Sequence, residues 1–598
     1  MILVFGGTTE GRKAAEVLEE AGTVYYYSTK TGEQDISLHH GQRVDGGMDS
    51  KGMVEFCQEH DIRLLVDAAH PFASLLHQTV AETANTLDIP VIRYERIYPA
   101  HDQQLTWIDD YSQVPTDIQT LLATTGVKSI AQLKYLEKQG INVFYRILPR
   151  ESSIMLAKQQ GATDDQLCYY KDGNSIEVDA DAILLKESGL TGGFTEKVEA
   201  ARRQGMRIFV LKRPAWPTEY KALVNGPHGL RRMVEHLLPA FFPLHSGLTT
   251  GTCATAAAIA AAKQLLTNER PNEVPVVLPD GETIMVAVGY GEGYGEGYAY
   301  CIKEAGDDPD VTDGLEIRAS LSLSGPSPDS PLQEGEWIVI KGGEGIGRFT
   351  LPGFDYPPGE AAINKGPREM IRTNLARHIT PFHTGSGRGW LCTISVPDGA
   401  EIAQKTFNPR LGIEGGISII GVSGIVKPFS EEAFISSIRK CMEVAKASGS
   451  ERVVINSGAK SERFVKACYP DLPRQAFVEY GNYIGETLKM ADELQIPRIT
   501  LGVMLGKAVK LAAGQLDTHS RRATMDREFI GQMLDEAQCA ITQDYTLARE
   551  LWQTIPKEKI EDFCHVVLSH CLIHCQPLVP QAELTLLLID DDGTIHPL

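Results

Sequence analysis

The sequence predicts an α/β protein of several domains. Apolar runs of strand length alternate with amphipathic stretches of helical period, the pattern of parallel α/β domains. Two Gly/Thr turns, around Gly6 and Gly251, each open a helix. At 598 residues the chain is too long for one core and, at roughly 100 to 200 residues per domain, divides into about four. Composition is ordinary for a soluble protein, with 42% hydrophobic and 23% charged residues. No apolar run approaches the roughly 18 residues of a membrane helix, since Lys263 cuts the alanine-rich stretch, and no basic segment precedes the short apolar start. The expected location is the cytoplasm, without membrane partners. Eleven scattered cysteines with no C-x-x-C pair point to reduced thiols rather than a disulfide framework. A net charge of −21 repels nucleic acid at long range but leaves local cations free to hold a small anion.

In the N-terminal half, strands are expected at 2–5, 24–27, 64–67, 91–94, 143–147, 182–186 and 207–211, with helices between them, such as 12–21 and 193–204. Ligands of such folds sit at the carboxyl ends of strands. After the first strand come Gly6, Gly7, Thr8, Thr9, Glu10 and Gly11. The glycines allow close approach of a pyrophosphate, the threonines add hydroxyl donors, and the helix start supplies unpaired N–H groups and a partial positive charge. A tight turn without a ligand has the same composition. Ser28, Thr29 and Lys30 end the second strand, where small hydroxyls and a lysine accept a 2′-phosphate, a bias towards NADP over NAD. Pro71 restricts His70 to extended backbone, which aims it at the strand-end cleft as a proton donor or carboxylate ligand, or leaves it a satisfied histidine at a helix start. Thr125, Lys128, Lys186, Ser188 and Arg213 lie at later strand ends, where they can hold an acidic substrate, although solvated loops look alike.

The prolines of Pro239 to Pro243 mark a short linker. Beyond it, Thr250, Gly251 and Thr252 open the helix 255–266, whose alanines permit close packing and whose start can bind an anion. Asp307, Asp308, Asp310 and Asp313 form a rigid acidic turn that lines a site, its carboxylates capping neighbouring N–H groups or handling a proton, or else holds a hard cation. Glycine clusters follow at Gly415, Gly416, Gly421 and Gly424. Ser430 is an expected N-cap. A strand at 452–455 ends in Asn456-Ser457-Gly458, and Gly481 with Asn482 precedes another helix. The Gly/Tyr repeat at 289–298 reads as a hairpin or loop. The series Cys564, His565, His570, Cys571, His574 and Cys575 is a buried helix or a soft-metal site, the former favoured.

The segments GGTTEGR, DAAHPFA, TTGVKSI, KESGLTGGFTEKVEAA and LKRP resemble the precorrin-6A reductase family across residues 1–240. The resemblance implies two Rossmann-like lobes with parallel sheets, at 1–115 and 116–240, which use NADPH to reduce a double bond of a corrin precursor. It places the Gly6 to Gly11 turn and Ser28 to Lys30 at NADPH. His70, Lys186 and Arg213 fall near the carboxylate-bearing macrocycle, with His70 as the proton donor.

The later segments SGLTTGTCATAAAIAAA, KEAGDDPDVTDG, NPRLGIEGGISIIGVSGIVKPFSEEA, EYGNYIGETL and LGKAVKLAAGQLDTHS resemble the cobalt-precorrin-5B C-1 methyltransferase family. This implies an α/β to α+β unit of non-standard fold, with parts at 245–400 and 401–598, that takes S-adenosylmethionine. Gly415, Gly416, Gly421, Gly424, Gly481 and Asn482 are the expected cofactor contacts. Asp307, Asp308 and His519 with Ser520 are the expected proton handlers or substrate contacts, and Thr250 to Thr252 a macrocycle contact. Together the halves imply a fused enzyme of cobalamin biosynthesis acting on cobalt-corrin precursors in consecutive steps, with homo-oligomerisation open and no protein-held metal. Cobalt would arrive inside the macrocycle. The competing reading is a tetrapyrrole or cobalt carrier that has lost one or both activities.

Overall fold

The computed structural model describes the chain except residues 31, 33, 170–177, 217–219, 292–296, 325–336, 380–388, 520, 521, 541–544, 546 and 591. It forms two compact units, one of Met1–Ser246 with Pro275–Met285, the other of Gly247–Val274 with Val286–Leu598.

The first unit opens with β1 (Ile2–Phe5), apolar and buried along its length as a strand covered on both faces must be. The chain continues through β2 (Tyr25–Thr29), β3 (Gly41–Asp45), β4 (Leu64–Asp67), β5 (Val91–Tyr94), β6 (Thr106–Ile108) and β7 (Thr120–Ala123). It then forms β8 (Asn142–Ile147), β9 (Leu167–Tyr169), β10 (Ala182–Lys186), β11 (Arg207–Leu211) and β12 (Ala222–Val224). Two six-stranded sheets result, ordered β12-β5-β4-β1-β2-β3 and β6-β11-β10-β7-β8-β9. Every pairing in them is parallel. Strand order reverses between β1 and β4 in the first sheet and between β7 and β10 in the second. These are the positions where doubly wound folds bind ligands.

The two sheets exchange edge strands. β6 precedes the second lobe's other strands yet joins its sheet through β11, while β12 follows that lobe and returns to pair with β5. A division at 115/116 therefore differs from the observed one at both ends. Leu230 and Val234 of the helix Pro227–Leu237, with Phe241 and Phe242, are buried in the first lobe's core. Thr23 donates its hydroxyl to the Phe241 carbonyl at 2.9 Å. The proline-flanked segment is thus packed against a lobe rather than a free linker, because its two aromatic rings have apolar surface to bury.

In the second unit the helix Thr250–Thr267 begins before the alanine run and is buried almost throughout. It packs on the strands Tyr298–Ile302 and Glu316–Ser324 and on the helix Lys365–Leu375, the small side chains admitting close neighbours. Those strands form a sheet with Gly389–Ser395 and Ile338–Gly342, antiparallel except for the last pair. Of the Gly/Tyr repeat, residues 292–296 lie outside the described residues, and Gly289 bridges to Tyr300. The final sheet runs Phe477–Glu479, Arg452–Asn456, Arg498–Met504, Glu583–Ile589, all parallel, with Ile595–Pro597 antiparallel at the edge. Ser430 caps the helix Glu431–Ala447, its hydroxyl accepting the Ala433 N–H. Among the described residues no helix is long and apolar enough to cross a membrane.

Candidate active sites

The turn after β1 is built around Tyr27. A Cβ on Gly6 would lie 2.1 Å from the Tyr27 ring and hydroxyl, and one on Gly11 would meet Gly6 Cα at 2.7 Å, so both positions require glycine. Gly7 has φ +83°, with open space beside it. Thr8 caps the helix Thr9–Glu19 by accepting the Gly11 N–H at 2.9 Å and donates to the Ala68 carbonyl at 2.6 Å, which locks the turn to the end of β4. The Gly7 N–H donates to Gln34 Oε1 at 3.0 Å, where a phosphate oxygen would otherwise accept. The Gly6 N–H is spent on the Ser28 carbonyl at 2.9 Å, which leaves the Gly7 N–H, held by side chains alone, as the backbone donor of this turn that an anion can take over.

At the end of β2, Ser28 and Thr29 are buried and Lys30 is exposed. Thr29 donates to Asp45 Oδ1 at 2.8 Å, so its hydroxyl is already engaged. Arg43 on β3, a strand the sequence did not reveal, pairs with the same Asp45 at 3.2 Å and donates to the Gln34 carbonyl at 2.7 Å.

Glu10 departs from the expected cofactor contact. It is 4% exposed, accepts from Arg96 Nε at 3.0 Å and from the Thr191 hydroxyl at 2.5 Å, and so ties the first lobe to the second. Arg96 continues to the Ser188 carbonyl at 2.7 Å. Arg213 is held by Glu187 Oε1 at 2.8 Å and stacks on Tyr98, while His101 reaches the same Glu187 oxygen at 3.0 Å. Arg213 therefore positions the cleft wall, its charge met by a carboxylate. Thr125 is 2% exposed and bonds Ser129 at 2.6 Å, a structural role, whereas Lys128 is exposed beside it.

His70 and Lys186 stand at the two reversal points and interact electrostatically. Burial, then Arg96 and Lys186, push the His70 pKa down to about 3. Its Nδ1 accepts the Phe72 N–H at 3.2 Å. His70 is therefore neutral near pH 7 and presents Nε2–H as a hydrogen-bond donor, which does not suit the expected proton-donor role. Behind it, His77 faces Asp67 Oδ2 at 2.6 Å and the His70 carbonyl at 3.1 Å. Burial acts to raise the Asp67 carboxyl, but His77 and Arg93 outweigh it and hold it below its ordinary range. Lys186 lies 4.7 Å over the Phe72 ring with no carboxylate partner among the described residues, and burial, then Lys128, lower its pKa to about 8.

In the second unit the Gly251 turn is closed by the chain itself. Thr249 caps its own helix, the Gly251 N–H donates to the Ile420 carbonyl at 2.9 Å, and Thr252 donates to the Gly424 carbonyl at 2.6 Å. Thr250 accepts the Ile420 N–H at 2.9 Å. With these donors satisfied and the residues buried, the expected anion site is a packing joint. Gly416 abuts the Gly345 backbone and Gly421 abuts Thr249, while Gly415 is exposed with open space about it. The Gly424 carbonyl is taken by Thr252. These glycines thus serve close packing more than a cofactor.

The acidic turn is likewise self-satisfied. Asp310 pairs with buried Lys303 at 3.1 Å, Asp313 accepts the Ala305 N–H at 2.7 Å, and Asp308 accepts the Phe429 N–H at 3.1 Å. Asp307 is exposed. Cys564, Cys571 and Cys575 are buried in an apolar core. Among the described residues, the one trio of His, Cys or carboxylate ligand atoms close enough for an ion is His228, Asp280 and Glu282, within 4.8 Å of one another.

The structure does bring together the last two glycine segments. The Thr518 N–H donates to the Asn482 carbonyl at 3.0 Å, and Lys507 donates to the Gly481 carbonyl, which sets Gly481, Asn482 and His519 at the carboxyl edge of the last sheet. His519 is half-buried, and its N–H donates to Asp517 at 3.0 Å; Ser520 lies outside the described residues. Sequence reasoning missed Arg43, on its unrevealed strand, and Arg96, Glu187 and Lys507, whose partners lie far along the chain and leave no local signal.

A family model described as precorrin-6x reductase CbiJ/CobK matches residues 1–234, and one described as CbiD matches residues 240–428. The cobalt-precorrin-5B C(1)-methyltransferase of Prosthecochloris aestuarii is 39% identical over 360 residues, 59% of this chain and 95% of that protein. Among solved structures, a CobK precorrin-6A reductase is 18% identical, covers 40% of this chain and 96% of its own, and has a TM-score of 0.33. The cobalamin biosynthesis protein CbiD of Archaeoglobus fulgidus is 28% identical, covering 47% and 83%, with a TM-score of 0.26.

Proposed function

The chain belongs to the cobalt-precorrin-5B C(1)-methyltransferase family and carries a precorrin-6x reductase domain ahead of it, and on that premise we propose how its two sites divide the work. It is a bifunctional enzyme of cobalamin biosynthesis. The second unit methylates C-1 of cobalt-precorrin-5B from S-adenosylmethionine, giving cobalt-precorrin-6A. The first unit reduces that product with NADPH to cobalt-precorrin-6B. The observation that carries the reading is the presence, in one chain, of a reductase domain and a segment matching 95% of a methyltransferase.

NADPH supplies a hydride to the macrocycle. The chain supplies position, which is most of what hydride transfer asks of a protein. The Gly7 N–H and the open space beside it receive the pyrophosphate, and exposed Lys30 is the cation for a 2′-phosphate, with Arg43, ion-paired to Asp45 at 3.2 Å, behind it. The His70 Nε2–H and the Lys186 ammonium face the substrate's carboxylate arms from opposite lobes. Lys186, whose pKa is lowered to about 8, is the cleft cation poised to exchange a proton near neutrality.

The test is an anaerobic assay of the intact chain with cobalt-precorrin-5B, S-adenosylmethionine and NADPH. Methyl transfer should precede NADPH oxidation, and oxidation should depend on the methyl donor. Macrocycle bound but recovered unchanged refutes the reading.

A further inference from the structure

Resting on the methyltransferase reading, we propose that Glu479 anchors the ribose of S-adenosylmethionine at the reversal point of the last sheet, beside the Ser457–Gly458 turn. From the strand Arg452–Asn456 the chain steps to Phe477–Glu479 on one side, then to Arg498–Met504 on the other. Order therefore reverses beside Arg452–Asn456, and a nucleotide-binding crevice opens at the carboxyl ends of strands at such a point.

Two features there have the chemistry of a nucleoside site. Gly458 has φ +138°, a backbone that L side chains rarely adopt, and introduces the helix Ala459–Cys468. Glu479 ends the adjacent strand, 21 positions later in the sequence, close to the roughly 20-residue offset at which an acidic side chain receives ribose hydroxyls. The structure joins them: a Cβ on Gly458 would lie 3.1 Å from Glu479 Oε1, so the carboxylate rests directly over the glycine turn.

The carboxylate is also unspent. Half-buried, it accepts no hydrogen bond and forms no ion pair with any described residue; the nearby Lys507 ammonium donates to the Gly481 carbonyl and acts on Glu479 only through longer-range attraction. A vicinal diol offers two O–H donors to such a group, and charge-assisted bonds of this kind are the strong ones. The glycines at 415–424 offer no comparable acceptor, since Gly416 and Gly421 are filled by backbone and side-chain neighbours.

Titration calorimetry of the full chain with S-adenosylhomocysteine and its 2′-deoxyribose analogue tests the assignment. Glu479→Ala should weaken S-adenosylhomocysteine about 10- to 100-fold, the range for a lost hydrogen bond to a charged group, and should abolish the preference for ribose over deoxyribose. Glu479→Gln should fall between Glu479→Ala and the parent, and carries the test should the alanine variant melt early. Parent-like affinity and ribose preference in the variants overturn the Glu479 assignment alone. Failure of the unaltered chain to bind S-adenosylhomocysteine overturns the methyltransferase reading itself.

Discussion

Replacing Glu282 with glutamine probes a carboxylate that the fold holds against its electrostatic preference. Glu282 is 2% exposed and accepts the His228 N–H at 3.0 Å and the Gly229 N–H, both in the first turn of the helix Pro227–Leu237. The helix start favours its charge. Burial outweighs those bonds, Asp280 adds repulsion, and the pKa rises from 4.5 to about 7. A raised carboxyl pKa means that the folded state keeps a proton which the open state releases between pH 4.5 and 7. Stability therefore falls as pH rises through that window and levels off above it. At about 1.36 kcal/mol per pH unit, the whole change is about 3 kcal/mol. The assay is hydrogen exchange of peptides from residues 227–237 and 275–285 in the intact chain, corrected for intrinsic exchange. The opening free energy of the parent should drop across the window while that of Glu282→Gln loses this component. Identical pH slopes in the two proteins would refute the reasoning.

Three further outcomes are expected. Gly6→Ala forces a methyl group onto Tyr27 and should raise the NADPH dissociation constant at least about 10-fold by nucleotide fluorescence, as overpacking shifts the turn; unchanged affinity removes the turn from the cofactor site. Lys186→Met should raise KM for the macrocycle with kcat preserved if the lysine holds a carboxylate, and lower kcat if it moves a proton. In the parent, KM should climb above pH about 8 as Lys186 loses its proton, a rise absent from the variant. Thr252→Val removes the hydroxyl that donates to the Gly424 carbonyl at 2.6 Å and leaves that carbonyl the Thr249 N–H at 3.1 Å, so it should cost about 0.5–1.5 kcal/mol in denaturant unfolding. Its KM for cobalt-precorrin-5B should stay put, since the turn is a joint and not a binding site.

The parts legible in the sequence are those whose cause is local. A four-residue apolar run, a threonine cap and glycines at fixed offsets announce β1 and its turn, and Ser430 announces its helix, because each feature is settled within a few residues. β3, β6, β9 and β12, the edge strands of the two sheets, escaped because strands this short and partly polar carry no period, and the four-residue interior strand β7 escaped with them. The Gly251 turn has the composition of the Gly6 turn, yet its donors are consumed by Ile420 and Gly424, about 170 residues away. No local pattern encodes that closure. Glu10 misled for the same reason: a glutamate in a phosphate turn looks solvent-facing until Arg96 and Thr191 arrive from elsewhere in the fold. His70 was placed rightly in the cleft, but its protonation depends on cations the sequence does not put beside it.

The exchange of β6 and β12 sets an order on synthesis. As the chain emerges from its N-terminus, the first sheet lacks its sixth strand until residue 224 is made, after every strand of the second sheet. β6 meanwhile waits for β11. Neither lobe can be cut away as a free-standing module without baring an edge of the one left behind, and a bare strand edge invites pairing with another chain. The reductase unit is accordingly indivisible, and a workable split of this protein into separate pieces must fall beyond both crossings.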